Sequence, residues 1–193
     1  MKPILFNTEM VQAILDSRKT TTRRIIKVNN SLEFMGFKEG KALLGKGCCI
    51  HETIKAPYML GDILYVRETW KQYEKRVGRG NQCHLEKFYG YKTDESNPKN
   101  PSEFYDGNWK PSIHMPKVAA RIFLKVIGVR VERLQDIAEQ GIKAEGIAEE
   151  WPPHAMDKFQ ELWDSTTKEY KWRLNPWVWV IEFERIEKSE VEQ

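Results

Sequence analysis

Two long segments in the C-terminal half, residues 121–131 and 177–186, alternate in polarity and constrain the fold more than anything else in the chain. In the first, Ile122, Leu124 and Val126 share one strand face, while Phe123, Ile127 and Val129 share the other. Side chains two apart lie on the same side of a strand, so both segments predict long strands with at least one buried face. Between them run two helical patterns, near 135–145 and 155–165, the second carrying Met156, Phe159, Leu162 and Trp163 on one side. A further strand, Ile63-Leu64-Tyr65-Val66, opens after a Gly61-Asp62 turn. Strands interrupted by helices predict a mixed α+β fold.

The chain has 193 residues, 40% of them apolar, with seven Trp, which suffices for one core. Two stretches fit this core poorly. Residues 29–55 carry Gly36, Gly40, Gly45 and Gly47 among scattered apolar residues and read as a turn-rich insertion with at most short strands. The polar stretch after Trp70 carries Gly78, Gly80, Asn97-Pro98, Asn100-Pro101 and Gly107, and reads as a second extended insertion held by its aromatics. The expected organisation is a single domain over 1–193 with insertions at about 29–56 and 71–112.

Composition narrows the class. A net charge of +3 is too small to mark a nucleic-acid binder by itself, because the footprint that matters is a local patch. No apolar run reaches membrane-spanning length and no signal-peptide pattern opens the chain, so no membrane partner is expected. Three cysteines, two of them adjacent at Cys48-Cys49, do not form a secreted disulfide framework and point to a reducing cytoplasm. Nothing in the composition fixes an oligomeric state.

The densest chemistry lies in Ser17-Arg18-Lys19-Thr20-Thr21-Thr22-Arg23-Arg24, four cations and four hydroxyls following a short helix marked by Met10, Val11, Ile14 and Leu15. Asn7 or Thr8 would cap that helix. Ile25, Ile26 and Val28 read as the start of a strand, which makes the run a helix-to-strand connection suited to an anion, a nucleic acid or an acyl group. If the run is turned, Lys19 and Thr22 face each other. A lysine desolvated or crowded by Arg18, Arg23 and Arg24 loses basicity and can accept a proton from a nucleophilic Thr22. The competing reading is a solvated basic turn in which the threonines satisfy nearby backbone groups.

Glu145 is the second such feature. At about 100° per residue it falls among Ile137, Ala138, Gly141 and Ile142, while Asp136, Glu139, Gln140 and Lys143 lie opposite. Asp136 with Glu139 makes a capping box. An inward carboxylate must find a partner or keep its proton, and Lys19 is a candidate partner. The alternative is a frayed last turn that releases Glu145 to water.

Arg67-Glu68-Thr69-Trp70 combines a guanidinium, a carboxylate and a large π face. A base stacked on Trp70 with Arg67 on a phosphate or base edge is one reading. The other is an Arg67–Glu68 surface pair with Trp70 in the core, which requires Glu68 to be paired if both residues are inward. Ser112 and His114 lack an acid to complete a triad, and Cys48, Cys49, His51, Cys83 and His84 lack the spacing of a zinc site, so no metal is expected.

The motifs Arg18-Lys19-Thr20-Thr21-Thr22-Arg23-Arg24 and Gly61-Asp62-Ile63-Leu64-Tyr65-Val66 resemble those of the ASCH family in the PUA-like superfamily. The tract from Leu134 to Ile147 and the closing Asn175-Pro176-Trp177-Val178-Trp179-Val180 resemble its longer, phage- and prophage-associated members. The resemblance implies a twisted β-barrel flanked by helices. A compact bacterial relative removes acetyl from acetylated cytidine. By that likeness Lys19 is the proton acceptor, Thr22 the nucleophile and Glu145 the proton donor, with no cofactor. Beside the resemblance, the charges and π face read above make Arg18, Arg23, Arg24, Arg67, Glu68 and Trp70 the expected substrate or nucleic-acid contacts. Two function classes follow, a hydrolase of a modified nucleoside and a non-catalytic reader of RNA or modified nucleic acid, with nuclease activity as a variant of the first.

Overall fold

The computed structural model describes residues 1–28, 32–94, 108–149 and 151–191. The expected features at Asn29, Asn97-Pro98, Asn100-Pro101, Phe104, Tyr105 and Gly107 lie outside them. The architecture is mixed α+β, and the chain divides into two compact units, each assembled from separated segments. The first comprises Met1–Gln12, Leu64–Phe123 and Ile186–Gln193, and the second Ala13–Ile63 and Leu124–Arg185. No described helix is long and apolar enough to cross a membrane.

The second unit holds most of the strands predicted from alternation. β9 (Phe123–Arg133) and β10 (Trp177–Ile186) coincide closely with the two alternating segments, and β2 (Thr21–Ile25) pairs antiparallel to β10 from Val178↔Ile25 to Glu182↔Thr21. Alternation on β10 sends Val178 and Val180 to one face. There they pack with Leu134, Ile137, Ile142, Ala155, Phe159 and Trp163, from the segment around α2 (Glu139–Ala144) and from α3 (Pro152–Thr166). Trp177 and Trp179 point the other way and meet Phe34 and Phe37. Those phenylalanines belong to a three-stranded meander, β3 (Glu33–Lys38), β4 (Lys41–Lys46) and β5 (Cys49–Lys55). Among the described residues of this unit the strands make two sheets, β9-β10-β2 and β3-β4-β5, not one closed ring.

The meander corrects the expectation of a turn-rich insertion over 29–55. Glu39 and Gly40 both have positive φ, 51° and 72°, the backbone of a two-residue hairpin turn whose twist matches the flanking strands. Gly40 and Gly47 lie in the turns between strands, while Gly36 and Gly45 lie within β3 and β4 at register shifts of the ladders. β2 also starts four residues earlier than expected and ends where Ile25 was to begin it. Its β-branched threonines suit a strand, and the β10 ladder extends to them. The main-chain bond from Phe183 N–H to Thr20 O at 2.9 Å carries the pairing one step further.

In the first unit, β1 (Lys2–Leu5) runs parallel to β6 (Ile63–Arg67), burying Ile4, Leu64 and Val66 completely. β7 (Trp70–Val77) and β8 (His84–Tyr91) form a hairpin across the region expected to be an insertion. Its outer part places Glu74 opposite Lys87 and Lys75 opposite Glu86. Opposite charges across a ladder stabilise strands with no buried face, which is why hydrophobic periodicity did not reveal them. At its base Trp70 packs with Met115 and Ala119.

Candidate functional site

α1 (Thr8–Leu15) is capped as expected, with Asn7 Oδ1 accepting the Met10 N–H at 2.8 Å. Past its end Ser17 adopts a left-handed conformation, φ 59°, and the N–H groups of Arg18 and Lys19 both turn back to Ala13 O, at 2.8 and 3.0 Å. The backbone of Lys19 then bridges to Glu145, and Thr20 N–H donates to Ala144 O at 2.8 Å. The run between helix and strand is thus fully bonded and extended, not turned. Lys19 and Thr22 are not brought face to face by a local turn.

α2 is shorter than the predicted helix. Leu134–Asp136 forms a separate 3-10 turn, Ile137 and Ala138 are extended, and helix begins at Glu139. Asp136 is therefore two residues too early to cap it, and the N-cap Ala138 makes no side-chain bond. The capping box does not form. Glu145 nevertheless points inward, 5% exposed, and does not escape to water.

Lys19, 2% exposed, is its partner. The Lys19 Nζ donates to Glu145 Oε2 at 2.6 Å, to Glu145 O at 2.9 Å and to Thr21 O at 2.8 Å. Arg23 donates through Nη1 to the other Glu145 oxygen at 3.0 Å, and through Nε and Nη2 to Glu132 Oε1 at 2.9 and 2.6 Å. Gly141 makes room for this guanidinium, since a Cβ there would stand 3.1 Å from Arg23 Nη2. Thr22 and Arg24 take the opposite side of the strand, where Arg24 Nη1 donates to Thr22 Oγ1 at 2.6 Å. Arg18 lies further out and spans Gly146 O and Asp16.

Burial is the main force on the titration of these groups. It pushes the Lys19 ammonium below the usual lysine value, against the pull of Glu145, and the charges of Arg24 and Arg23 push the same way. Burial lowers Arg24 as well, although an arginine keeps its charge at any working pH. Tyr58 faces Arg24 electrostatically, and its phenol is raised chiefly by burial and further by Asp62. Glu132 and Tyr58 escaped the sequence reading. Glu132 had a signal, because on β9 it shares parity with the buried Leu124 and Val126.

Arg67, Glu68 and Trp70 belong to the first unit. Glu68, 1% exposed, is held by Arg121 Nε and Nη2, both at 3.0 Å, and by Thr93 Oγ1 at 2.8 Å. Arg121 also binds Asp94 and lies 3.9 Å from the Tyr91 ring centroid, while burial pushes the Tyr91 phenol up to about 12. With Glu68 paired, Trp70 is a core residue at 5% exposure, which corrects its assignment as a stacking platform. Arg67 binds Ile113 O and Tyr65 Oη, at 3.2 and 3.3 Å. The three cysteines are free and exposed, and among the described residues no three His, Cys, Asp or Glu side chains are placed to hold a metal.

No protein-family model matches the chain, and no curated protein matches it. Among solved structures it is similar to the crystal structure of protein EF3133 from Enterococcus faecalis V583, assigned to DUF984. The identity is 10% over 94% of this chain and 71% of that one, with a TM-score of 0.40. A likeness at this level carries no argument about fold or activity.

Proposed function

We propose that the Lys19–Glu145 centre is the active site of an amidohydrolase that removes an acyl group from a modified nucleoside, with acetylcytidine as the representative substrate. The buried 2.6 Å contact between Lys19 Nζ and Glu145 Oε2 carries this reading. Burial lowers the hold of Lys19 on its proton, and Glu145 Oε2 lies within hydrogen-bond reach, so the two side chains can act as base and acid side by side. Lys19 takes the Thr22 hydroxyl proton, and Thr22 Oγ1 attacks the acetyl carbonyl. Arg24, already 2.6 Å from Thr22 Oγ1, steadies the oxyanion better than Arg23, whose donors are committed to Glu132 and Glu145.

As the C–N bond breaks, Glu145 passes its proton to the leaving amine, freeing cytidine and leaving acetyl on Thr22. Water then attacks the ester, giving a proton to Glu145 while Lys19 returns one to Thr22 Oγ1, and acetic acid departs with all three groups restored. Lys19 Nζ is bonded to Thr21 O and Thr22 lies on the other side of the strand, so the first proton transfer requires a local rearrangement of the Thr21–Thr22 backbone that brings the Thr22 hydroxyl to Lys19. The α+β arrangement fits an open, elaborated form of the PUA-like barrel of a cytoplasmic, phage-type protein. The Arg-Lys-Thr run directly after α1 and the Gly61-Asp62 turn before β6 support that reading.

Chromatography of acetylcytidine incubated with the protein tests the proposal. Cytidine is expected from the parent, and Thr22→Val should abolish its release while leaving nucleoside affinity nearly intact. Unchanged turnover in that variant removes Thr22 as nucleophile, and no release by the parent overturns the reading. A second reading, binding of RNA or modified nucleic acid without catalysis, rests on the cationic run from Arg18 to Arg24, of which Arg18 reaches the surface. Salt-dependent RNA affinity without turnover would be its signature.

A further inference from the structure

A cavity of about 860 Å³ opens in the second unit at the start of β10, and none of its lining residues belongs to the Lys19 centre. One wall is aromatic and cationic. Phe34 and Trp177 have ring centroids 4.2 Å apart with the planes tilted by 37°, and the Arg133 guanidinium carbon sits 4.3 Å from the Trp177 centroid. This wall is fixed by the turn before β10. Asn175, left-handed at φ 43°, accepts from Arg133 Nη1 through its main-chain oxygen and from Gln135 N–H through Oδ1, both at 2.9 Å. Tyr170 and Leu174 also line the cavity, together with two carboxylates, Glu33 and Glu169.

Each part narrows the ligand. The volume suits a small organic molecule. A wall of rings and a guanidinium favours a planar ring laid against it. Arg133 has five N–H donors, and the bond to Asn175 leaves others for a ring carbonyl or ring nitrogen. Carboxylates accept from exocyclic amines and sugar hydroxyls. Two carboxylates against one guanidinium also make the lining net negative, which repels phosphate.

We propose that this cavity binds an unphosphorylated nucleoside, its base against the Trp177–Arg133 wall and its edge and sugar held by Arg133, Glu33 and Glu169. The site stands independently of the hydrolase reading. Calorimetric titration of the full chain with adenosine and with ATP tests it. Adenosine should bind, and ATP should bind about tenfold or more weakly because its phosphates meet the carboxylates. Leu174 is 57% exposed, so Leu174→Trp should fold normally, fill the cavity and remove adenosine binding. The double variant Glu33→Gln, Glu169→Gln should narrow the difference between the two ligands. Absence of adenosine binding by the parent, equal affinity for ATP, or undiminished adenosine binding in Leu174→Trp would each overturn the proposal.

Discussion

Lys19 is buried with a carboxylate, two main-chain oxygens and neighbouring guanidinium groups, and its removal and that of Glu145 are not equivalent. In Glu145→Gln the ammonium keeps its place without an opposing charge, which costs about 3–5 kcal/mol in a buried pair. In Lys19→Met the carboxylate still has Arg23 at 3.0 Å, so the loss should be smaller. Urea denaturation of both variants measures the order, and a costlier Lys19→Met would mean that Arg23 does not hold Glu145. The pH dependence has a definite sign. Lys19 ionises in the folded state below its unfolded value of 10.5, so between those two values the unfolded chain binds more protons. Stability from this residue therefore rises with pH up to about 10.5 and is lost as pH falls through the folded value. The parent's urea midpoint should gain on that of Lys19→Met between about pH 7 and pH 10, and a constant difference would contradict the desolvation of Lys19.

Among elements, the end of α2 decides whether the centre assembles. Gly146 has φ 93°, and a Cβ there would stand 2.8 Å from Ala13 Cβ and 3.0 Å from Lys19 Cβ. Gly146→Ala should cost about 1–2 kcal/mol in backbone conformation alone and more by pushing Lys19 from Glu145. A thermal melt matching the parent's would remove that close approach from the account. Elements with one buried face were legible in the sequence. β9, β10 and α3 announce themselves by period, and so does the inward aim of Glu145. Strands whose apolar residues show no simple period were not. The β7–β8 hairpin is held by cross-strand charge and by Tyr73 stacked on Phe88, centroids 5.8 Å apart, and the β3–β5 meander hides its turns in Glu39-Gly40 and Gly47-Cys48. The extended path of the Lys19–Thr22 run is set by β10 and by Ala144, which are remote in sequence. The β-branched threonines favour that path locally, and these remote partners fix it.

At the scale of the molecule, the chain re-enters the first unit twice and the second once, with breaks near residues 12, 63, 123 and 185. Neither unit is a contiguous piece. A fragment of residues 1–123 contains Lys19, Thr22 and Arg23 but lacks Glu132, Glu145 and the whole of β10. Such a fragment should give neither the strand signal of the second unit by circular dichroism nor a cooperative urea transition. A cooperative transition would mean that β2 and the β3–β5 meander hold together without their C-terminal partners.

The 126 positions between Lys19 and Glu145 also set a clock during synthesis. At roughly 5–20 residues per second, the ribosome delivers the carboxylate about 6–25 seconds after the ammonium. Until then the lysine has every reason to remain in water, since nothing yet made can offset its dehydration. The nascent N-terminal half therefore waits unsealed, and one late-arriving side chain lets the interior close.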